Sequence, residues 1–579
     1  MDALNAREQQ PAISSQMRRA LRWVEQQSWA RVLYNHNPFY VVSAALVFWG
    51  LRSSFDTSHG TFNAWPLTLC LGAFTLLLVA TAVLIIRWGK VWEDARSILL
   101  LVVLMFLGMS VTFDSILAND GTIAKWYYLG GLAFAVAVTE SALRLLPLRL
   151  PALYRVPFYL IVGLFYLYPL VMTGRLNTPS DTTLQWQLFG FSTVAALIFL
   201  TLLPAVRRGA GYANDNLSPW RWPLFPWTLF GVLGLCVCLR AYYLCQSLHF
   251  VGYANSIFGG YFLAPMMLAA AVLFVEGGRV TGSQLATRAG MLLPLVTAAI
   301  SGLGHRHDWV YLDFLTLFQQ VTHATPLFIA VVAAIIFYAV AAVRHVHRAG
   351  DILLVSVALL TFMGPQTLTF SELHIEQTWP LALVSATQLI VGLRRWQSYR
   401  VAVGACVMLV ASIIEWQGTW FTSHLAMIPL HLLLATFLFT GMLFTDDVAR
   451  RLRRWSAAMM AALALLAILE RSGTFADLPP WLVAMHPLAI AGLAVWIGHR
   501  LRLWRFYGSA SIIGVFWLGV YGTEGYTEAR RHLVGLDQLA FGLFFFACAA
   551  LISLAKAGVL RRWITALAAV CRKQPASPG

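Results

Sequence analysis

Apolar runs of about 15 to 22 residues recur roughly every 30 residues along almost the whole chain. A run of that length is what a helix needs to cross a bilayer. Lipid offers no partner for backbone N–H and C=O groups, so a spanning segment must satisfy them internally. The runs lie near 38–52, 65–86, 98–117, 125–143, 156–173, 187–206, 223–240, 256–275 and 288–303, then 325–343, 352–370, 379–393, 401–415, 425–444, 456–469, 481–498, 506–521 and 538–555. The expected fold is therefore all-α, a polytopic integral membrane helical bundle of about 18 transmembrane helices.

Composition agrees. Of 579 residues, 59% are hydrophobic and only 11% are charged, with a mean hydropathy of +0.70. Soluble domains carry about 25% charged residues. The expected organisation is a cytoplasmic amphipathic segment over 1–37, a bundle over 38–555 and a basic cytoplasmic tail over 556–579. No secretory signal is read at the N-terminus, so the first apolar run is expected to be retained as a span.

The net charge of +16 is distributed as short Arg-rich clusters between apolar runs. This pattern excludes a nucleic-acid surface and matches loops held on the cytoplasmic side. With the N-terminus inside and the spans alternating, about 33 of the 41 basic residues fall inside. One missed span would exchange the sides from that point onward. The alternation thus supports an even count with N- and C-termini cytoplasmic, in a bacterial-type inner membrane. The inner face suits anionic lipid headgroups, and the outer face carries most of the acids and histidines.

Trp65-Pro66, Trp222-Pro223, Pro326, Trp379-Pro380 and Trp481 mark span entrances. Proline is tolerated in a first helical turn, and indole prefers the headgroup zone. The stretches 87–126 and 344–379 share a basic loop, an Ile-Leu-Leu start, a Thr-Phe-plus-acid exit and a Trp entrance. That suggests a parallel internal duplication offset by eight spans, with repeats 38–287 and 288–505 and a terminal hairpin 506–555.

No phosphate loop, dinucleotide fingerprint or catalytic motif is present, and no cofactor is implied. The seven cysteines are scattered and suggest neither disulfides nor a zinc site. The candidate outer-face polar cluster is Asp56, Asp114, His305, His307, Asp308, Glu372, His374 and Glu376. Histidine and carboxylate together can move protons or hold a metal; the ordinary alternative is solvated turns. The segment 304–323 reads as an amphipathic element lying in the outer interface. An acid shortly after the first span, here Asp56, resembles integral-membrane glycosyltransferases that use polyprenyl-linked sugars. The acidic pair and the long outer loop of those enzymes are missing, so the family is not assigned.

Within the spans, Gln388, His431 and His486 are the candidate intramembrane polar residues, with Arg240, Glu140 and Glu276 near span ends. An ionisable group in a bilayer is a functional candidate by default. The histidines sit beside Pro429 and Pro487, whose neighbouring carbonyls could accept their N–H groups. Arg240 is expected to snorkel to the outer interface. Three functions suit these features. A transporter or permeation pathway comes first. An outer-leaflet enzyme acting on a lipid or lipid-linked substrate comes second, and a structural or assembly subunit of a membrane complex third.

Overall fold

The structure is a computed structural model. It describes residues 42–47, 50, 64–146, 148–173, 182–214, 217–222, 224–247, 257–303, 309–416, 428–469, 479–533 and 535–556. Among these residues the secondary structure is helical, with no strand. Asp56, His305, His307 and Asp308 lie outside the described residues, as do all of 1–37 and 557–579.

The chain divides into two compact units. Unit 1 comprises residues 1–356 and 363–374; unit 2 comprises 357–362 and 375–579. The larger helices of unit 1 are α1 (Ala64–Leu84), α2 (Trp92–Asn119), α3 (Gly121–Leu145), α4 (Ala152–Leu167) and α5 (Thr182–Leu200). They continue as α6 (Leu224–Ser247), α7 (Ala264–Thr281), α8 (Gln284–Gly302), α9 (Trp309–Thr322) and α10 (Pro326–Val343). The helix α11 (Ala349–Leu359) then runs across the point of division. Unit 2 carries α12 (Trp379–Arg394), α13 (Ser398–Glu415), α14 (Ile428–Leu443), α15 (Asp447–Leu469), α16 (Pro480–Leu501) and α17 (Trp504–Trp517). It ends with α18 (Thr523–His532) and α19 (Leu536–Lys556).

Twelve helices among the described residues are long and apolar enough to cross a membrane, and four shorter apolar helices accompany them. The protein is a multi-spanning membrane protein by that criterion. The 28 residues of α2 make a rod about 42 Å long, whereas the apolar stretch Ala349–Phe362 reaches only about 21 Å. The two stretches proposed as repeats thus begin with helices of unequal length.

Local chemistry explains where the helices begin. Pro326, Pro380 and Pro480 each sit in a first turn, where the missing N–H costs nothing. Asp120 caps α3: its Oδ1 accepts from the backbone N–H of Thr122 at 2.8 Å and of Ile123 at 3.2 Å. The Ile123 and Thr122 N–H groups hold its carboxyl below the usual carboxylate value. Asp446 accepts from Ala449 N–H at 3.0 Å at the start of α15 and from Ser398 Oγ at 2.6 Å.

Close helix pairs rest on small residues. A Cβ on Gly290 of α8 would stand 2.8 Å from the backbone N of Val275 on α7, and one on Gly278 would meet Thr287 N at 2.6 Å. Unit 2 repeats the device. Ser385 of α12 donates to the carbonyl of Gly404 on α13 at 2.6 Å, and a Cβ on Gly404 would lie 3.0 Å from Leu389 N. Without a hydrophobic drive between helices in lipid, such close approach supplies the packing energy.

The segment expected to lie in the outer interface is helical over α9, but its apolar face is not left to lipid. Phe314 and Phe318 are buried. Phe318 stacks on Trp186 of α5 with ring centroids 5.7 Å apart, and Phe314 packs against Phe262 at the same centroid distance. Aromatic burial against protein outcompetes burial in headgroups here, because the partner rings are already fixed.

Candidate functional site

The most demanding chemistry in unit 1 is a buried ion pair. Arg240 of α6 and Asp114 of α2 are 0% and 1% exposed. Arg240 Nη1 donates to Asp114 Oδ2 at 2.5 Å and Nη2 to Oδ1 at 2.8 Å, a two-pronged contact. Tyr128 of α3 donates its hydroxyl to Asp114 Oδ1 at 2.5 Å. One carboxylate therefore ties three helices together. Phe113 and Tyr166 pack around it, and Gly131 leaves them room: a Cβ there would stand 2.6 Å from Phe113 and 2.8 Å from Tyr166. The buried Arg240 Nε is left without an acceptor among the described residues.

Arg240, expected to snorkel, is instead fully buried, and Asp114 is 1% exposed; of the outer-face cluster in which it was expected, Asp56, His305, His307 and Asp308 lie outside the described residues. A bidentate partner at depth outweighs the reach to water, since burying either charge alone would cost several kcal/mol.

Farther along the same helices, in the direction of Arg96 and Arg144, lies an apolar cavity of about 100 Å³. Leu100, Val103 and Phe106 of α2 line it, with Ala142 of α3, Phe158 of α4 and Phe225 of α6. Phe106 is about 12 Å along α2 from Asp114. Arg96 stands on the cavity wall. Leu143, Leu148 and Leu150 are shared with an adjoining open recess of about 640 Å³. That recess is bordered by Glu140, Arg144, Arg149, Arg155 and Tyr212. Arg155 and Tyr159 both donate to Glu140 Oε1. Arg144 and Arg149 are exposed and form no ion pair among the described residues. Glu276 is the third acid near a span end, and it is ringed by arginines: Arg207 Nε at 2.7 Å, Arg344 Nη1 at 3.0 Å and Arg279 at 3.9 Å.

The remaining sequence candidates are dispersed. Glu372 and His374 occupy an exposed turn of unit 1. Glu372 accepts from Leu368 N–H at 2.9 Å, and His374 Nδ1 contacts the Glu372 carbonyl at 2.9 Å. Glu376 is exposed and belongs to unit 2. Gln388 accepts from Arg400 Nη1 at 3.1 Å. His431 of α14 and His486 of α16 meet directly, Nε2 to Nε2 at 2.8 Å, with rings crossed edge to face. Bonds to carbonyls freed beside Pro429 and Pro487 were expected for these histidines; the structure also brings the two imidazoles together. Among the described residues no group of three or more His, Cys, Asp or Glu side chains could hold a metal ion.

The sequence reading missed Tyr128, the cavity and the recess. One signal was available. With the assumed topology, Asp114 and Arg240 both fall within about one turn of the outer ends of their runs, 98–117 and 223–240. Opposite charges at equal depth are natural partners. No family model matches the chain, and no curated protein or solved structure matches it.

Proposed function

We propose that the chain is a transporter or permeation pathway whose unit 1 holds a vestibule open toward the basic face and closed at the far end. The observation that carries this reading is the double use of α2, α3 and α6. Asp114, Tyr128 and Arg240 tie these helices at one end, and the same helices wall the cavity toward the other. A buried ion pair is a poor stabiliser compared with apolar packing. Its value lies in having two states, closed when paired and open when each charge finds water or a substrate group. The wider frame of the proposal is about 18 spans, both termini cytoplasmic, a parallel duplication, and a bacterial-type inner membrane. The outer-leaflet enzyme needs carboxylates and histidines under one roof; within unit 1, Asp114 is buried against Arg240 whereas Glu372 is exposed.

Site-directed labelling tests the gate without knowledge of the substrate. The seven cysteines are replaced, Val103→Cys is introduced in the cavity wall, and a membrane-impermeant maleimide is applied from either side. The parent should label from the basic side only. Asp114→Asn, or the milder Tyr128→Phe, should raise labelling from the opposite side several-fold. Labelling from one side alone in both variants would remove the gate, and with it the case for a pathway through unit 1.

A further inference from the structure

The vestibule has two chemically opposite halves that share one wall. The recess offers Arg144 and Arg149, exposed and without ion pairs among the described residues. Arg155, the third arginine there, is already engaged by Glu140. Behind it, through Leu143, Leu148 and Leu150, the cavity is lined almost wholly by carbon, with Arg96 its one charged residue. A free inorganic anion would use only the first half. An uncharged apolar solute would use only the second.

We propose that this site binds an anionic amphiphile, a membrane lipid with a phosphate-bearing headgroup. The phosphate lies between Arg144 and Arg149, and a short apolar segment of the tail enters the cavity past Arg96. Guanidinium groups suit phosphate through paired N–H donors. Basic pockets between spanning helices on the cytoplasmic side are where anionic headgroups are held. The cavity volume of about 100 Å³ takes part of one chain and not a whole lipid; a dry cavity of about 150 Å³ accepts a benzene. The inference names the ligand class of the vestibule proposed above and rests on that reading of it as a ligand site. It does not require the gate.

The test is an equilibrium titration of the purified full-length protein, read by thermal shift. The probes are dioctanoyl phosphatidylglycerol, dioctanoyl phosphatidylcholine and inorganic phosphate. Phosphatidylglycerol should saturate, with phosphatidylcholine at least tenfold weaker. The Arg144→Gln/Arg149→Gln double variant should weaken phosphatidylglycerol about twenty-fivefold, the product of two charge contributions of about fivefold each. Filling the cavity with Ala142→Leu, or with Leu100→Phe should that variant fold poorly, should weaken phosphatidylglycerol and leave phosphate unchanged. Three results would each overturn the proposal: equal affinity for phosphatidylcholine, equal affinity for phosphate with no effect of the cavity variants, or unaltered binding by the double arginine variant. Binding without gated labelling would cost only the transport reading, and gated labelling without binding would cost only this one.

Discussion

At the scale of single residues, Asp114 sets the terms. It accepts from Arg240 through both oxygens and from Tyr128 through one, all away from solvent. Removing it alone strands a buried guanidinium, so Asp114→Ala should cost about 3 to 5 kcal/mol. Replacing both charges with apolar side chains, as in Asp114→Leu/Arg240→Met, should recover most of that loss. Melting temperatures in one detergent would check the order: parent and double variant close together, single variant well below. A single variant as stable as the parent would mean that water reaches the pair. The sequence placed Asp114 and Arg240 as polar residues near span ends, but not as partners, because 126 positions separate them and pairing is decided by how α2 and α6 pack. The same holds for His431 and His486. Each was visible as a polar interruption of an apolar run, and their contact was not, since it depends on the rotation of α14 against α16.

At the scale of elements, helix positions were legible and helix packing was not. Trp379-Pro380 and Pro326 mark starts that α12 and α10 use within a residue, because the physical cause is local to the first turn. The glycines behave differently. Nothing in the sequence separates Gly290, whose missing Cβ admits the backbone of Val275, from Gly492, which has open space within 4 Å. The structure predicts opposite outcomes for the two. Gly290→Ala forces α7 and α8 apart and should lower the melting temperature and the folded yield. Gly492→Ala, in the interior of α16, should be neutral or gain up to about 1 kcal/mol of helix preference. Parallel thermal melts of the two variants decide the matter, and equal behaviour would discard the close-packing account of α7 and α8.

At the scale of the whole molecule, the strongest regularity is the alternation of charge between loops. Under the proposed topology Lys90 lies on the cytoplasmic side and Asp120 on the opposite one, with α2 between them. Alkaline phosphatase, which is active only when exported, should be active when fused after Asp120 and inactive after Lys90; the reverse would invert the molecule. Helix length carries a separate consequence. A rod of about 42 Å such as α2 exceeds the hydrocarbon thickness of about 30 Å, and the stretch Ala349–Phe362, at about 21 Å, falls short of it. Tilt relieves the first mismatch, but the second pulls the two leaflets together. If the stretch Ala349–Phe362 crosses as the proposed topology has it, the bilayer around the protein is unevenly thick, with a thinned patch beside the short helix. Such a patch favours shorter acyl chains and lowers the barrier that a polar headgroup meets on its way across.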